Sequence, residues 1–415
     1  MTDTNSALDS STETSLAWRI ALRHAGVAYL ISRLCVIAGA AFVGAELRAD
    51  DNKLREQLIW GYLTRPDPHA RSAIMPRSAS SMILDVLTSW DGIWYMRIIR
   101  RGYPDYVPRS ITYDDPEARV AFFPAYPSLV RAADRILPGG DTLAALTLNF
   151  VLGAIFIVLI GWLARLWFGE RVARNTMTLA AFFPGSFVLS FVYSEALLLA
   201  LAAACLLALV KEKWLWAGLL AAAGTATRPN GVALVLACLV AAVLAFRRQR
   251  SLVPFVAPLM APVGFVAFQY WIDQHTDESR VWFRVQGEAW KEGASFGLTA
   301  IRNTLEAFTK PLQSPTDLIT AISFLCTLLV LWIAWRRRLP LVAWAYSAVI
   351  IALMLLPATV TARPRFLFTA FPLLITAALW LDEPRRREWW PYVIAMSGAG
   401  LVALTGLYGV YGAIP

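Results

Sequence analysis

Several charged side chains lie at the ends of long apolar segments, and their types suit chemistry on a phosphate. These residues are Glu195, Arg228, Arg363 and Arg365. Charged groups at membrane depth are costly, and they tend to line a cavity or a substrate path. A guanidinium binds phosphate oxygens through two parallel hydrogen bonds, and a nearby carboxylate can take the proton of a hydroxyl group. The combination fits glycosyl transfer from a lipid-phosphate donor, and it fits a transporter or flippase of a lipid-linked sugar almost as well.

Each of these residues also has a plainer interpretation. An arginine at a helix end often extends its charge to lipid headgroups while its stem stays in the apolar layer. Glu195 can pair with one of the arginines for a structural reason, and Asp91 can cap or solvate an interfacial helix. The numerous Trp and Phe residues are typical of an aromatic belt at the membrane surface. Their joint position on one side of the membrane is what favours a shared site.

The composition identifies the elements that must position these side chains. Of the 415 residues, 58% are hydrophobic and only 16% are charged, whereas a soluble domain has about 25% charged residues. This predicts an all-α polytopic membrane protein. The net charge of +9 comes from short basic clusters between apolar segments, which is typical of cytoplasmic loops and argues against nucleic-acid binding. The cysteines lie inside apolar segments and the histidines are far apart, so we expect neither a disulfide framework nor a metal site.

The apolar segments predict about eleven spanning helices. Residues 1–15 are polar and predict a disordered tail, so that residues 16–415 form a single membrane domain. Residues 46–138 predict a first outer loop with interfacial helices, and residues 273–315 predict a second large outer loop. The spanning candidates are 25–45, 141–166, 175–192, 195–210, 214–228, 231–246, 252–272, 316–335, 340–357, 365–381 and 390–412.

The distribution of basic residues orients these helices. The segment 121–137 is apolar at its start but carries charged residues in its second half. If it lies at the membrane surface, every basic cluster falls on the same side as Arg19 and Arg23. Because positive residues concentrate in cytoplasmic loops, we predict that the N-terminus is inside and the C-terminus outside. The charged motifs then meet in one outward-facing polar cavity.

A series of short motifs resembles the phosphatidylinositol-glycan class V family, which comprises the second mannosyltransferase of GPI assembly and its bacterial relatives. The motifs occur in the family's order over residues 85–375. Each motif is weak by itself, whereas their common order and compatible spacing make the resemblance specific. They are Trp90-Asp91-Gly92-Ile93-Trp94-Tyr95, Gly102-Tyr103, Phe122-Phe123-Pro124-Ala125-Tyr126-Pro127, Phe183-Pro184-Gly185-Ser186-Phe187 with Tyr193-Ser194-Glu195, Ala226-Thr227-Arg228-Pro229-Asn230-Gly231, and Arg363-Pro364-Arg365-Phe366 with Phe371-Pro372.

This resemblance implies a GT-C glycosyltransferase, an inverting membrane enzyme that takes its sugar, here mannose, from a polyprenyl phosphate on the extracytoplasmic side. An acidic residue in the first outer loop is the usual candidate base in that superfamily, and Asp91 is at the corresponding position. Arg228, Arg363 and Arg365 become candidates for binding the donor phosphate, and no metal or cofactor is required. The candidate substrate contacts are Trp90, Tyr95, Tyr126, Tyr193, Glu195 and Asn230.

The acceptor does not follow from the resemblance. The Ala, Arg and Trp usage resembles that of an actinobacterial protein, and bacteria make no GPI anchors. A cell-envelope glycolipid and a secreted protein are therefore both candidate acceptors at a bacterial plasma membrane. A transporter of a lipid-linked sugar and a non-catalytic subunit of a glycosylation complex are the alternatives. The two halves show no convincing internal repeat and the charges lie at helix ends, which favours an enzyme over a transporter. The sequence leaves the oligomeric state open.

Overall fold

The computed structural model describes residues 3–59 and 78–414, and within these ranges the chain is helical with no β-strand. Ala294 and Pro357 form an isolated antiparallel bridge. The helices are α1 (Asp3–Ile59), α2 (Ala79–Leu87), α3 (Asp91–Arg101), α4 (Ala125–Asp134), α5 (Asp141–Phe168), α6 (Glu170–Phe182), α7 (Glu195–Val210), α8 (Trp214–Thr225), α9 (Ala233–Gln249), α10 (Val256–Met260), α11 (Val263–His275), α12 (Val281–Glu288), α13 (Leu298–Thr309), α14 (Pro315–Arg336), α15 (Leu341–Leu355), α16 (Pro364–Thr369), α17 (Pro372–Leu381) and α18 (Trp390–Gly409).

Among the residues that the structure describes, six helical stretches are long and apolar enough to cross a membrane, judged by length and composition. The shorter apolar helices α7, α8, α15 and α17 lie between them in the chain. Each predicted spanning segment coincides with at least part of a helix, which confirms the all-α membrane architecture. The six long stretches are Trp18–Ala49, Asp141–Phe168, Pro229–Gln249, Val253–His275, Pro315–Arg336 and Arg387–Gly409.

Three of the predicted spanning segments, 175–192, 252–272 and 365–381, are broken at proline instead of being continuous; in 252–272, α10 ends at Met260 and α11 begins after Pro262. Segment 175–192 consists of the end of α6 followed by a 3-10 turn over Pro184–Leu189. Segment 365–381 consists of α16 and α17, and α17 begins at Pro372. Proline lacks an amide hydrogen and clashes with the preceding turn, so it begins a new helical turn more readily than it continues an old one.

Arg33 of α1 satisfies backbone groups that the first of these breaks leaves free. Its guanidinium donates to the carbonyl oxygens of Ala181 at 3.0 Å and Ser186 at 2.7 Å, and to the hydroxyl of Ser190 at 3.0 Å. Arg33 is only 4% exposed, and a buried cation is costly unless it is hydrogen-bonded. These bonds connect α1 to the segment that leads into α7.

The ends of α1 differ from the sequence prediction. The helix begins at Asp3, so residues 3–15 are helical where their composition predicts a disordered tail, and it continues beyond residue 45 into the predicted first outer loop. Extending an existing helix adds hydrogen bonds without a new nucleation step, so polar residues can continue an apolar helix. Residues 60–77 of the predicted loop 46–138 lie outside the described residues. The division into a tail and one domain over 16–415 stays a prediction.

The segment 121–137 contains only α4, a helix of 10 residues. Its length of about 15 Å is too short for a hydrocarbon core of roughly 30 Å. Arg131 of α4 donates to carbonyl oxygens at the C-terminal end of α3, the shorter bond measuring 2.5 Å. The predicted loop 273–315 carries α12 and α13, and Trp282 of α12 donates to the carbonyl oxygen of Ala121 at 3.0 Å. The two predicted outer loops therefore contact each other.

Helix α7 lies inside the bundle. It is apolar on all faces apart from its first residue, and that composition is typical of a helix buried on every side. It packs mainly against α5 and α8. The first residue of α7 is Glu195, so the packing of this helix places a carboxylate at the inner end of the polar region described next.

Candidate active site

Four charged side chains from different segments form one cluster. Arg365 Nη1 donates to Asp91 Oδ2 at 2.8 Å, and Arg228 Nη1 lies 2.5 Å from Glu195 Oε2. The cross distances are longer, at 3.6 Å from Arg228 Nη1 to Asp91 Oδ2 and 3.8 Å from Arg365 Nη1 to Glu195 Oε1. Each carboxylate therefore faces both guanidiniums. We call these four residues the charged cluster.

Asp91 is the first residue of α3, and its direction is fixed by contacts of the turn before it. Trp90 has a φ of 56°, in the left-handed region that bulky residues seldom adopt. Trp90 Nε1 donates to the carbonyl oxygen of Tyr408 in α18 at 2.9 Å, and the amide of Val192 donates to the carbonyl oxygen of Leu87 at 2.8 Å. Such strain persists where surrounding contacts over-determine the backbone. The indole of Trp90 thus positions Asp91.

Glu195 is positioned by the segment that precedes α7. Asn149, a buried side chain of α5, donates from Nδ2 to the carbonyl oxygens of Phe191 at 2.5 Å and Tyr193 at 2.9 Å. The ring of Tyr193 also lies beneath the guanidinium of Arg365, with 5.7 Å between Cζ and the ring centroid. One buried amide therefore holds the backbone that presents Glu195 to the cluster.

The two arginines of the cluster, Arg228 and Arg365, belong to two segments of similar sequence, each with an Arg-Pro pair. Arg228 and Arg363 each precede a proline, and both have the extended backbone that this position favours. Pro229 and Pro364 then begin short helical turns. In the first segment Arg228, which precedes the proline, belongs to the cluster. In the second segment the cluster residue is Arg365, which follows the proline.

Two motif glycines permit close backbone contacts near the cluster. A Cβ atom on Gly185 would lie 2.2 Å from the carbonyl oxygen of Pro364, and one on Gly231 would lie 2.3 Å from the carbonyl oxygen of Gly224. Any side chain would force these segments apart. The glycines of the Phe-Pro-Gly and Arg-Pro-Asn-Gly motifs are therefore explained by packing against the segments that carry the cluster.

The two carboxylates differ in burial, and this suggests different roles. The side chain of Glu195 is 2% exposed and that of Asp91 is 19% exposed. Together with the two guanidiniums they make a cluster with no net formal charge. A buried carboxylate at 2.5 Å from Arg228 suits a permanent counter-ion. Asp91 is the carboxylate that an incoming molecule can reach.

Tyrosine hydroxyls extend this polar region. Tyr95 OH is 2.6 Å from Ser194 Oγ, which in turn accepts from Arg228 Nη1 at 3.4 Å. The ring of Tyr126 packs edge-on against Tyr95, with centroids 5.0 Å apart. Burial raises the pKa of Tyr95 and holds the pKa of Tyr126 well above its usual value, so both hydroxyls stay protonated.

Arg363 lies outside the charged cluster, although the sequence analysis grouped it with Arg228 and Arg365. Its Nε donates to the carbonyl oxygen of Ile414 at 3.0 Å, and its Nη1 donates to the hydroxyl of Thr320. The side chain is 1% exposed. The sequence prediction that Arg363 binds with Arg228 and Arg365 therefore fails on position, because the oxygens of Ile414 and Thr320 are within reach of its donors.

Asn230 lies in the turn that follows Arg228, and it is partly buried. The sequence analysis did not single out Ser194 by itself, nor Asn149 and the carbonyl oxygen of Tyr408. Asn149 had a detectable signal, because it is an amide inside the predicted spanning segment 141–166. The backbone contact at Tyr408 had none.

A cavity of about 580 Å³ lies beside α3 and is lined by Thr88, Ile93, Arg97, Arg100 and Arg101, and none of the four cluster residues is part of its lining. Its volume is in the range of small-molecule sites. Within the part of the chain that the structure describes, no group of three His, Cys, Asp or Glu side chains is placed to hold a metal ion. That the protein needs no metal or cofactor stays a prediction.

Residues 124–271, about a third of the chain, match a protein-family model described as dolichyl-phosphate-mannose-protein mannosyltransferase. The matched region includes Glu195 and Arg228 but not Asp91 or Arg365. No curated protein matches the chain.

Solved structures similar to the chain include those of ArnT and of an oligosaccharyltransferase. ArnT from Cupriavidus metallidurans in the apo state is 16% identical with a TM-score of 0.47, covering 80% of this chain and 78% of ArnT. The same protein bound to undecaprenyl phosphate is 15% identical with a TM-score of 0.46. The Archaeoglobus fulgidus oligosaccharyltransferase tethered with an acceptor peptide is 15% identical with a TM-score of 0.43, covering 78% of this chain and 51% of that one. The family-model match supports a GT-C glycosyltransferase as the general class and does not single out the phosphatidylinositol-glycan class V family.

Proposed function

We propose that this protein is an inverting glycosyltransferase that moves mannose from a polyprenyl-phosphate donor to a hydroxyl group of a cell-envelope glycolipid or a secreted protein. The observation that carries the proposal is the charged cluster, in which the accessible carboxylate of Asp91 shares both arginines with the buried carboxylate of Glu195. The match of residues 124–271 to a mannosyltransferase family supports the reaction class.

Asp91 is the proposed general base. The acceptor oxygen forms a bond to C1 of the sugar while the bond from C1 to the phosphate oxygen breaks, and the acceptor proton passes to Asp91. Arg365 donates to Asp91 Oδ2 at 2.8 Å, so a bound donor phosphate would compete with Asp91 for this guanidinium. Donor binding would thereby leave the Asp91 carboxylate freer to accept the proton.

Arg228 and Arg365 are proposed to bind the departing phosphate. A guanidinium suits this role because it matches two phosphate oxygens at once and stabilises the charge that develops on the leaving group. The leaving phosphate gains one negative charge as Asp91 becomes neutral, so the total charge of the site stays constant during transfer. Glu195 keeps Arg228 in place throughout, since its carboxylate lies 2.5 Å away.

The proposed site faces outward from a bacterial plasma membrane. The cluster lies at helix ends, where the headgroup of a polyprenyl phosphate is found while its chain stays in the bilayer. Tyr126, Tyr193 and Asn230 are the proposed sugar contacts, and Tyr95 is proposed to position Arg228 through Ser194. The reaction as written uses the lipid-linked sugar as its only co-substrate and requires no metal or cofactor.

The experiment is transfer of radiolabelled mannose from polyprenyl-phosphate mannose to membrane lipids or proteins, in membranes of a deletion strain that carries the wild type or a variant. Asp91→Asn should lower the transfer rate by about 10²–10⁴-fold, which is typical for loss of a general base. The matched control is Asp114→Asn, which removes an exposed carboxylate of the same loop. Near-normal transfer by Asp91→Asn would remove Asp91 from the mechanism. Wild-type membranes without any transfer, in a strain whose envelope is altered by the deletion, would favour transport or another sugar.

A further inference from the structure

A second cavity, of about 520 Å³, lies between α1, α6 and the junction of α17 with α18. Its basic end lies at the other end of the bundle from the charged cluster. Arg100 of α3 pairs with Asp141 at the start of α5, and α6 begins just after the end of α5. Helix α5 has 28 residues, which separates its two ends by about 42 Å.

The rim of this cavity is basic. Arg171 and Arg174 of α6 line it together with His24 of α1 and Arg387. Among the described residues, neither Arg171 nor Arg174 forms an ion pair. The one carboxylate in the lining is Asp382.

Asp382 does not neutralise those two arginines. Its Oδ1 accepts from the amide of Asn175 at 3.3 Å, and the same oxygen lies 3.8 Å from Nε of Arg387. The two arginines on α6 therefore present uncompensated charge to the cavity.

The opposite part of the same cavity is apolar. Val27 and Ile31 of α1 line it, and they are 57% and 46% exposed. Phe182 continues this wall at the far end of α6. From Arg171 to Phe182 the helix rises by roughly 16 Å. The cavity thus changes from basic to apolar along its length, as a phospholipid changes from headgroup to acyl chain.

We propose that this cavity binds one anionic phospholipid, with the lipid phosphate between Arg171 and Arg174 and an acyl chain along Val27, Ile31 and Phe182. A free phosphate ion would use only the basic part, and a neutral lipid would use only the apolar part. Basic pockets between membrane helices are a recurring way of holding anionic headgroups. This site is separate from the charged cluster and does not depend on the proposed transfer reaction.

The test is native mass spectrometry of the full-length protein in detergent, titrated with phosphatidylglycerol, with phosphatidylcholine of the same acyl chains, or with inorganic phosphate. Wild type should retain one phosphatidylglycerol in preference to phosphatidylcholine. Arg171→Gln/Arg174→Gln should weaken that binding by about 30-fold, as expected for two headgroup contacts. Arg247→Gln/Arg250→Gln is the matched control, because it removes two exposed charges that the topology predicts on the same membrane side and that lie outside the cavity.

A second variant separates the lipid from the free ion. Ile31→Trp fills the apolar part and should displace phosphatidylglycerol without changing any binding of inorganic phosphate. Equal retention of phosphatidylcholine, full displacement of phosphatidylglycerol by millimolar phosphate, or unchanged binding in Arg171→Gln/Arg174→Gln would each overturn the proposal.

Discussion

The Arg-Pro segments at 226–231 and 361–366 have similar sequences and use their arginines differently. Arg228, before its proline, reaches Glu195 at 2.5 Å. Arg363 occupies the equivalent position and donates to the carbonyl oxygen of Ile414 and the hydroxyl of Thr320. In that second segment Arg365 reaches Asp91 at 2.8 Å. The local pattern fixes the extended backbone and the helical turn, while the neighbouring helices decide which guanidinium reaches the cluster.

This difference indicates that the partner of an arginine, and not its motif position, identifies it as a candidate for the reaction. An arginine in the charged cluster faces a carboxylate that another molecule can reach, since Asp91 is 19% exposed. Arg363 is bonded to uncharged protein oxygens and is 1% exposed. We therefore expect substitution of Arg365 to affect turnover, and substitution of Arg363 to affect the stability of the fold.

Among the substitutions that test this comparison of arginines, Arg365→Gln has the largest expected effect. We expect mannose transfer to fall by about 10²–10³-fold, the usual cost of removing one preorganised donor from the developing charge. Arg365→Lys keeps the positive charge but loses the bidentate hydrogen bonding of a guanidinium, so it should restore only part of the transfer rate. The measurement is the initial transfer rate per folded molecule. A fall of less than fivefold in Arg365→Gln would show that the arginine does not bind the phosphate.

Arg363→Gln should have the next largest effect, and on a different quantity. Hydrogen bonds to a charged group contribute about 1.5–3 kcal/mol each, so loss of the guanidinium should lower the thermal unfolding midpoint. Transfer per folded molecule should stay within about threefold of wild type, which is roughly 0.7 kcal/mol. Thermal unfolding in detergent and the transfer rate, measured on the same preparation, check this. A large loss of turnover with unchanged stability would contradict the distinction drawn between the two arginines.

Tyr95→Phe should have the smallest effect and should act on Arg228 alone. The Tyr95 hydroxyl lies 2.6 Å from Ser194 Oγ, which contacts Arg228. Loss of a hydrogen bond of about 1 kcal/mol predicts roughly a fivefold slower transfer. The effect should disappear in an Arg228→Gln background and persist in an Arg365→Gln background. An equal effect in both backgrounds would mean that Tyr95 acts on the substrate directly.

Much of the architecture could be predicted because apolar segments and proline breaks are local signals. The predicted spanning segments all coincide with helices or parts of helices. The failure of 175–192 to be one helix follows from Pro184, which was visible in the sequence. The helical state of residues 3–15 was not predictable from composition, because it is a continuation of the apolar helix that follows.

The site could be predicted only in part. The motif order gave Asp91, Glu195, Arg228 and Arg365, which the structure brings together. It also predicted Arg363 as a phosphate ligand, because the sequence alone does not distinguish Arg363 from Arg365 before their tertiary contacts are known. Contacts to backbone atoms, such as that from Trp90 to Tyr408, leave no trace in residue types.

Residues 408–414 contact both the segment that carries Asp91 and the second Arg-Pro segment. Trp90 is bonded to the carbonyl oxygen of Tyr408 and packs on the ring of Tyr411, while Arg363 is bonded to the carbonyl oxygen of Ile414. A deletion of residues 408–414 would leave every catalytic candidate in the protein. It would nevertheless have the phenotype of an active-site mutation, since both Asp91 and the second Arg-Pro segment would lose their support.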